Sequence, residues 1–172
     1  MSATSERQAR RSGGDLLKPL GLDPKLDVER GYHRHLKPDA GTGLSRPIYD
    51  VDGAYYMAPM EQGFRVTSGV DLSFRDAPDE HRQIDGATAA AREAFPLGEV
   101  VGETWRGARP TLPDSLPMIG EAPRNPGLWL AFGNQHIGFS TGPITGEMIA
   151  AMVCGEKPPI DPTPFRPERY IR

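Results

Sequence analysis

The sequence predicts an α+β fold: an antiparallel sheet with a flanking helix, followed by a C-terminal strand–loop–helix of different character. Three observations predict it. Short segments with two-residue alternation recur through the first half, separated by turn residues. One segment, 78–95, switches to helical spacing. Near the end an apolar run, 128–132, passes through glycines into a second helical segment.

Taken in order, residues 15–20 read as a short helical turn, stopped by Pro19 and Gly21. Residues 25–36 read as a strand, with Val28, Arg30, Tyr32, Arg34 and Leu36 on one face and Asp27, Glu29, Gly31, His33 and His35 on the other. Residues 47–50 and 54–59 flank Asp52-Gly53, a hairpin signal. Residues 63–72 alternate again. In the helix 78–95, Ile84, Ala87, Ala91 and Phe95 share a face and Pro96 ends it. Residues 98–109 return as a strand, and 109–117 form a proline-rich loop. Residues 118–120 are too short to assign. The strand 128–132 is followed by a glycine-bearing loop, 133–142, and a helix, 143–154, with Pro143 at its start and Gly155 as its stop. The tail from Glu156 is expected to be extended.

Composition excludes several classes. With 172 residues the chain suits one ordinary domain. Its 20 Lys+Arg against 23 Asp+Glu leave no basic footprint for nucleic acid. No apolar stretch reaches membrane-spanning length. Residues 1–14 carry Arg7, Arg10 and Arg11 without an apolar core, so they read as disordered rather than as a secretory signal. The one cysteine, Cys154, allows no internal disulfide, and a soluble, cytoplasmic protein is expected.

Two strings carry chemistry. In the first, 128–143, a buried strand leads through Gly133 and Gly138 to a helix start. Its unpaired N–H groups would stabilise an anion or a carbonyl oxygen gaining charge. The spacing from Gly133 to Ser140 imitates a phosphate loop, but Phe139 stands where that motif needs lysine. Gly41-Thr42-Gly43 lacks the third glycine of a dinucleotide fingerprint. The second string runs from Trp105 to Gly120. There, Pro110 holds Arg109 extended, and a guanidinium on a stiff loop can grip a carboxylate with two parallel hydrogen bonds. The alternative for Arg109 is an ordinary ion pair with Asp114 or a neighbour. His33 and His35 share a strand face but have no further ligands nearby for a metal.

In this order the two strings resemble the C-terminal part of the D-amino-acid oxidase superfamily, and most of all the bacterial D-amino-acid dehydrogenases and glycine oxidases. Residues 29–33, 58–63 and 160–170 share that resemblance, which runs from about Leu16 to the end. It implies FAD as cofactor and oxidation of a D-amino acid or glycine-like substrate by hydride transfer to the flavin, with no catalytic side chain required. Arg109 would bind the substrate carboxylate, and Tyr55 or Tyr56 would line the substrate pocket. Gly133, Asn134, Gln135, Ile137, Gly138, Phe139, Ser140 and Thr141 would form the flavin-contacting segment. Asn134, Gln135 and Ser140 depart from the family's usual His, Gly and Thr.

The same resemblance implies a substrate-domain sheet over 15–108 and a flavin-contacting segment over 109–172, the latter part of the FAD-binding domain in full-length relatives. No dinucleotide-binding half is present in the sequence. The expected partner is therefore a separate N-terminal FAD-binding half, or a second copy. The alternatives are a catalytically inactive remnant and a carboxylate-binding module without flavin.

Overall fold

The computed structural model describes residues 13–171. Most of the segment expected to be disordered therefore lies outside the described residues, while Gly13 and Gly14 open a short helix, α1 (Gly13–Leu17). The chain forms two compact units: Glu29–Ala108, and the residues up to Val28 joined to those from Arg109 onward.

The first unit is built on a five-stranded sheet of β1 (Asp27–Pro38), β2 (Ile48–Asp50), β3 (Tyr55–Met60), β4 (Gly63–Asp71) and β5 (Leu97–Thr111), in the order β2-β3-β4-β1-β5. The pairs β1–β4, β2–β3 and β3–β4 are antiparallel. Alternation places Tyr32, Leu36, Tyr55, Met57, Phe64 and Val66 on one face. They pack with Ile84, Ala87 and Ala91 of helix α2 (Arg82–Ala94) in a single core. The predicted apolar stripe of the helix is thus the buried one.

The Asp52-Gly53 hairpin forms, but as a four-residue connection between Asp50 and Tyr55. The left-handed position is taken by Ala54 (φ 51°) rather than by the glycine. The Asp50 carboxylate organises this turn, accepting the N–H groups of Asp52 (3.1 Å) and Gly53 (2.9 Å).

Helix α2 begins four residues later than its spacing predicts, and the reason is Arg30. This guanidinium is fully buried and donates to the carbonyls of Ala77 (2.6 Å), Pro78 (2.8 Å) and Phe74 (3.2 Å), to Tyr32 Oη (2.6 Å) and to Asp71 Oδ2 (2.9 Å). Carbonyls that a helix would use are turned towards the arginine instead, so the chain from Phe74 to Pro78 stays outside it.

The second unit has its own core of Leu17, Leu22, Leu112, Met118, Ala122, Leu130 and Ile171. The leading segment with Leu17 and Leu22, expected in the sheet domain, therefore belongs to this unit. A two-stranded antiparallel sheet joins β6 (Met118–Glu121) to β7 (Trp129–Phe132), and α3 (Gly138–Val153) follows. The helix begins at Gly138 rather than at Pro143, which falls in its second turn. The tail is not extended but folds into two short 3-10 turns, Thr163–Phe165 and Pro167–Arg169. Pro167 packs over Gly120, where a Cβ would come within 2.8 Å of it.

Candidate functional site

The strand–loop–helix of the second unit supplies the site. Between β7 and α3 the connection is only residues 133–137. Gly133 is buried against Leu112, and its left-handed backbone (φ 84°) disfavours any side chain there. Gln135 is also left-handed (φ 49°), and its backbone N–H donates to the Pro110 carbonyl at 3.2 Å. This bond ties the loop to the end of β5, one residue from Arg109.

Asn134 holds the other side of the loop. Its amide donates to Thr141 Oγ1 (2.9 Å) and to Thr145 Oγ1 (3.1 Å). Thr141 in turn donates to the Ile137 carbonyl (3.0 Å), and Thr145 donates to the Thr141 carbonyl (2.8 Å). The Ile137 carbonyl also accepts the N–H groups of Ser140 and Thr141, both at 2.9 Å. This clip starts the helix a turn early and does so without a side-chain N-cap. The N–H groups of the first turn, at Gly138 and Phe139, are therefore left for an outside acceptor.

Ile137 and Phe139 project outward, Phe139 completely exposed. Ser140 is exposed as well, whereas Thr141 is occupied by the clip. Two further donors lack an acceptor among the described residues: Arg109 Nη1 and Gln135 Nε2, both buried. The alternative partner for Arg109 is spoken for. Asp114 pairs with Arg169 of the tail at 2.9 Å, and Arg169 also donates to the Pro117 carbonyl at 3.0 Å. Uncapped helix N–H groups, exposed apolar side chains and orphaned donors suit a large planar ligand with an electron-rich edge and a carboxylate beside it.

The two tyrosines, left open by the sequence, separate cleanly. Tyr55 is 1% exposed and belongs to the sheet core, whereas Tyr56 is 56% exposed on the opposite face. There its ring stacks on Tyr49 with centroids 4.2 Å apart. The same face carries His33 and His35. Burial first, then the positive charge of Arg65 and the neighbouring His35, hold the His33 imidazole down to about 4 from an ordinary 6.5. Burial and Arg65 also lower His35. No cluster of three or more metal-binding side chains occurs among the described residues. No helix among them is long and apolar enough to cross a membrane.

This site sits on a fold seen before. The model of the family described as FAD dependent oxidoreductase matches residues 8–152. A D-amino-acid oxidase of Bradyrhizobium diazoefficiens is 28% identical over 161 residues, 91% of this chain and 38% of the relative. D-amino acid dehydrogenase 2 of Mesorhizobium japonicum is 31% identical, covering 87% of this chain and 36% of its own length. Among solved structures, glycine oxidase from Geobacillus kaustophilus superposes with a TM-score of 0.76 at 22% identity, covering 92% of this chain and 43% of that one. The chain belongs to the FAD dependent oxidoreductase family, and it spans about two fifths of the length of the relatives it matches. Its homologues are amino-acid oxidases and dehydrogenases, and the family's cofactor is FAD.

Proposed function

We propose that this chain is the substrate-facing and flavin-edge part of an FAD-dependent enzyme that oxidatively deaminates D-amino acids or glycine-like amines. The observation that carries the reading is the paired orphan donors, Arg109 Nη1 and Gln135 Nε2, on segments joined by the Gln135–Pro110 backbone bond. Residues 109–172 act as the flavin-contacting segment, and the sheet unit Glu29–Ala108 acts as the substrate domain.

FAD, when bound, supplies the hydride acceptor. This chain's residues do the rest. Arg109 grips the substrate carboxylate and so orients the Cα–H bond. The first-turn N–H groups of α3 would hold the cofactor's electron-accepting edge, where the helix dipole would favour negative charge. Gly133, Asn134, Gln135, Ile137, Gly138, Phe139, Ser140 and Thr141 would form the segment that holds the cofactor edge, and the exposed Ile137 and Phe139 would shield it from water. Of the two tyrosines, Tyr56 rather than Tyr55 is the one available to a substrate, because Tyr55 is buried in the sheet core and Tyr56 is exposed. No side chain serves as acid or base.

The partner in this reading is an N-terminal half bearing the dinucleotide-binding fold. The lone, exposed Cys154 fits a reducing cytoplasm. Mixing the purified chain with such a half tests the proposal. Visible flavin absorbance retained by the pair, with dye reduction dependent on a D-amino acid, is the expected result. A pair that retains no flavin would remove it.

A further inference from the structure

The second unit contains a groove that the flavin reading leaves unused, since none of residues 133–141 lines it. It holds about 580 Å³, a size that suits a small molecule. Its walls are the hairpin β6–β7, the C-terminal end of α3 and the folded tail. Packing fixes the tail wall. Pro167 sits over Gly120, while Arg169 ties the tail to Asp114 and to the Pro117 carbonyl. The groove is therefore formed before any ligand arrives.

Its lining is unevenly charged. Glu121, Glu156 and Glu168 stand against a single cation, Arg166. No ion pair or side-chain hydrogen bond joins Arg166, Glu156 or Glu168 to another described residue, so the excess of carboxylates is not neutralised from within. Glu121 accepts the Gly127 N–H on Oε1 at 2.7 Å, which leaves Oε2 to accept from a ligand. Helix α3 ends at the same rim with no basic residue in its last turn, so the negative end of its dipole adds to the field. Lys157, the next basic residue along the chain, does not line the groove.

The aromatic wall makes the site selective among cations. Trp129 is registered directly across from Glu121, so indole and carboxylate stand side by side on one face of the hairpin. A planar, weakly hydrated guanidinium stacks on an indole while the N–H groups of its edge reach a carboxylate in the same plane. A compact, strongly hydrated ammonium loses more on leaving water for the same contacts. Ile119, Met152 and Pro162 supply an apolar bed for an alkyl chain.

We propose that this groove binds a small alkylguanidinium. The guanidinium lies on Trp129 and pairs with Glu121, Glu156 and Glu168 add to the attracting field, and the alkyl chain runs over Met152 and Pro162. The site rests on the second unit alone and uses neither flavin nor Arg109.

The test follows Trp129 emission in the full chain carrying Trp105→Phe, which leaves one tryptophan, with butylguanidinium as the probe. The emission should change saturably. Butylurea, of nearly the same shape but uncharged, should bind more weakly by about tenfold or more. Glu121→Gln keeps an acceptor for the Gly127 N–H but removes the paired charge, and should weaken butylguanidinium by about tenfold, with the far-ultraviolet circular dichroism unchanged. The double variant Glu156→Gln, Glu168→Gln changes two exposed positions and should weaken it by about threefold or more. Should Glu121→Gln not fold, the double variant still decides. Arg166→Gln removes a like charge and should strengthen binding by about twofold, a sign that general damage to the fold would not produce. The proposal is overturned if butylguanidinium gives no saturable change, if butylurea matches it, or if a folded Glu121→Gln or double variant binds undiminished. Weaker binding in Arg166→Gln would also overturn it, because the groove would then favour ligands bearing an anion.

Discussion

The backbone N–H of Gln135 meets the carbonyl oxygen of Pro110 at 3.2 Å, joining the loop before α3 to the strand end that bears Arg109. Because it is a main-chain bond, no side-chain substitution removes it directly. The geometry it fixes must be tested through the groups it positions.

The first of these is the Asn134 clip. Asn134→Ala deletes two hydrogen bonds to threonine hydroxyls, one of them on the buried Thr145. A loss of about 1–2 kcal/mol in stability is expected, measured by urea unfolding. Asn134→Asp should be no better than alanine, since a carboxylate cannot donate to Thr141 or Thr145 while both hydroxyls donate elsewhere. Both variants should also weaken flavin retention by the reconstituted pair.

The Arg30–Asp71 pair makes a second prediction. The guanidinium is wholly buried, with Nη2 2.7 Å from Asp71 Oδ2. Asp71 is further held by Ser73 Oγ (2.6 Å) and Tyr32 Oη (3.0 Å). Asp71→Ala leaves a buried cation unpaired and should cost about 3–5 kcal/mol. Denaturant titration of the variant against the parent chain reads it.

Stability should depend on pH through His33. Folded His33 titrates at about 4, against an ordinary 6.5. Between those values the unfolded chain binds more protons than the folded one. Stability is therefore full above 6.5 and falls as pH drops towards 4. Asp71 is held below the usual carboxylate range: burial alone would raise it, but hydrogen bonds from Ser73, Tyr32 and Arg30 outweigh that. Its contribution is lost only at still more acid pH. Thermal melts across this range should show a shallower slope above pH 4 for His33→Gln, and an unchanged slope would remove His33 as the cause.

Gly63 makes the remaining stability prediction. It is left-handed (φ 125°), and a Cβ there would lie 2.5 Å from the Leu36 carbonyl oxygen in the neighbouring strand. Backbone atoms cannot step aside as a flexible side chain can. Gly63→Ala should therefore cost about 1–3 kcal/mol by the same titration.

Much of this architecture was legible because local periodicity and tertiary packing agree. The alternation around Tyr32 and the stripe Ile84–Ala87–Ala91 both point into one core. The sequence misled where a distant residue decides. Arg30 delays α2 by drawing off the carbonyls of Ala77 and Pro78. Pro143 reads as a helix start, yet the Asn134 clip allows an earlier one. Asp114 reads as the neighbour of Arg109, but the tail brings Arg169 to it. Tyr55 and Tyr56 could not be ranked without the turn, since one residue more or less exchanges their faces.

The most direct test of the central claim is anaerobic mixing of the flavin-loaded pair with a D-amino acid, following the loss of visible flavin absorbance. The account predicts saturable reduction by the parent pair. In Arg109→Ala the substrate concentration for half-maximal reduction should rise about tenfold or more, with flavin content unchanged. An Arg109→Ala pair that is reduced at the same substrate concentrations as the parent would contradict the carboxylate grip on which the account rests.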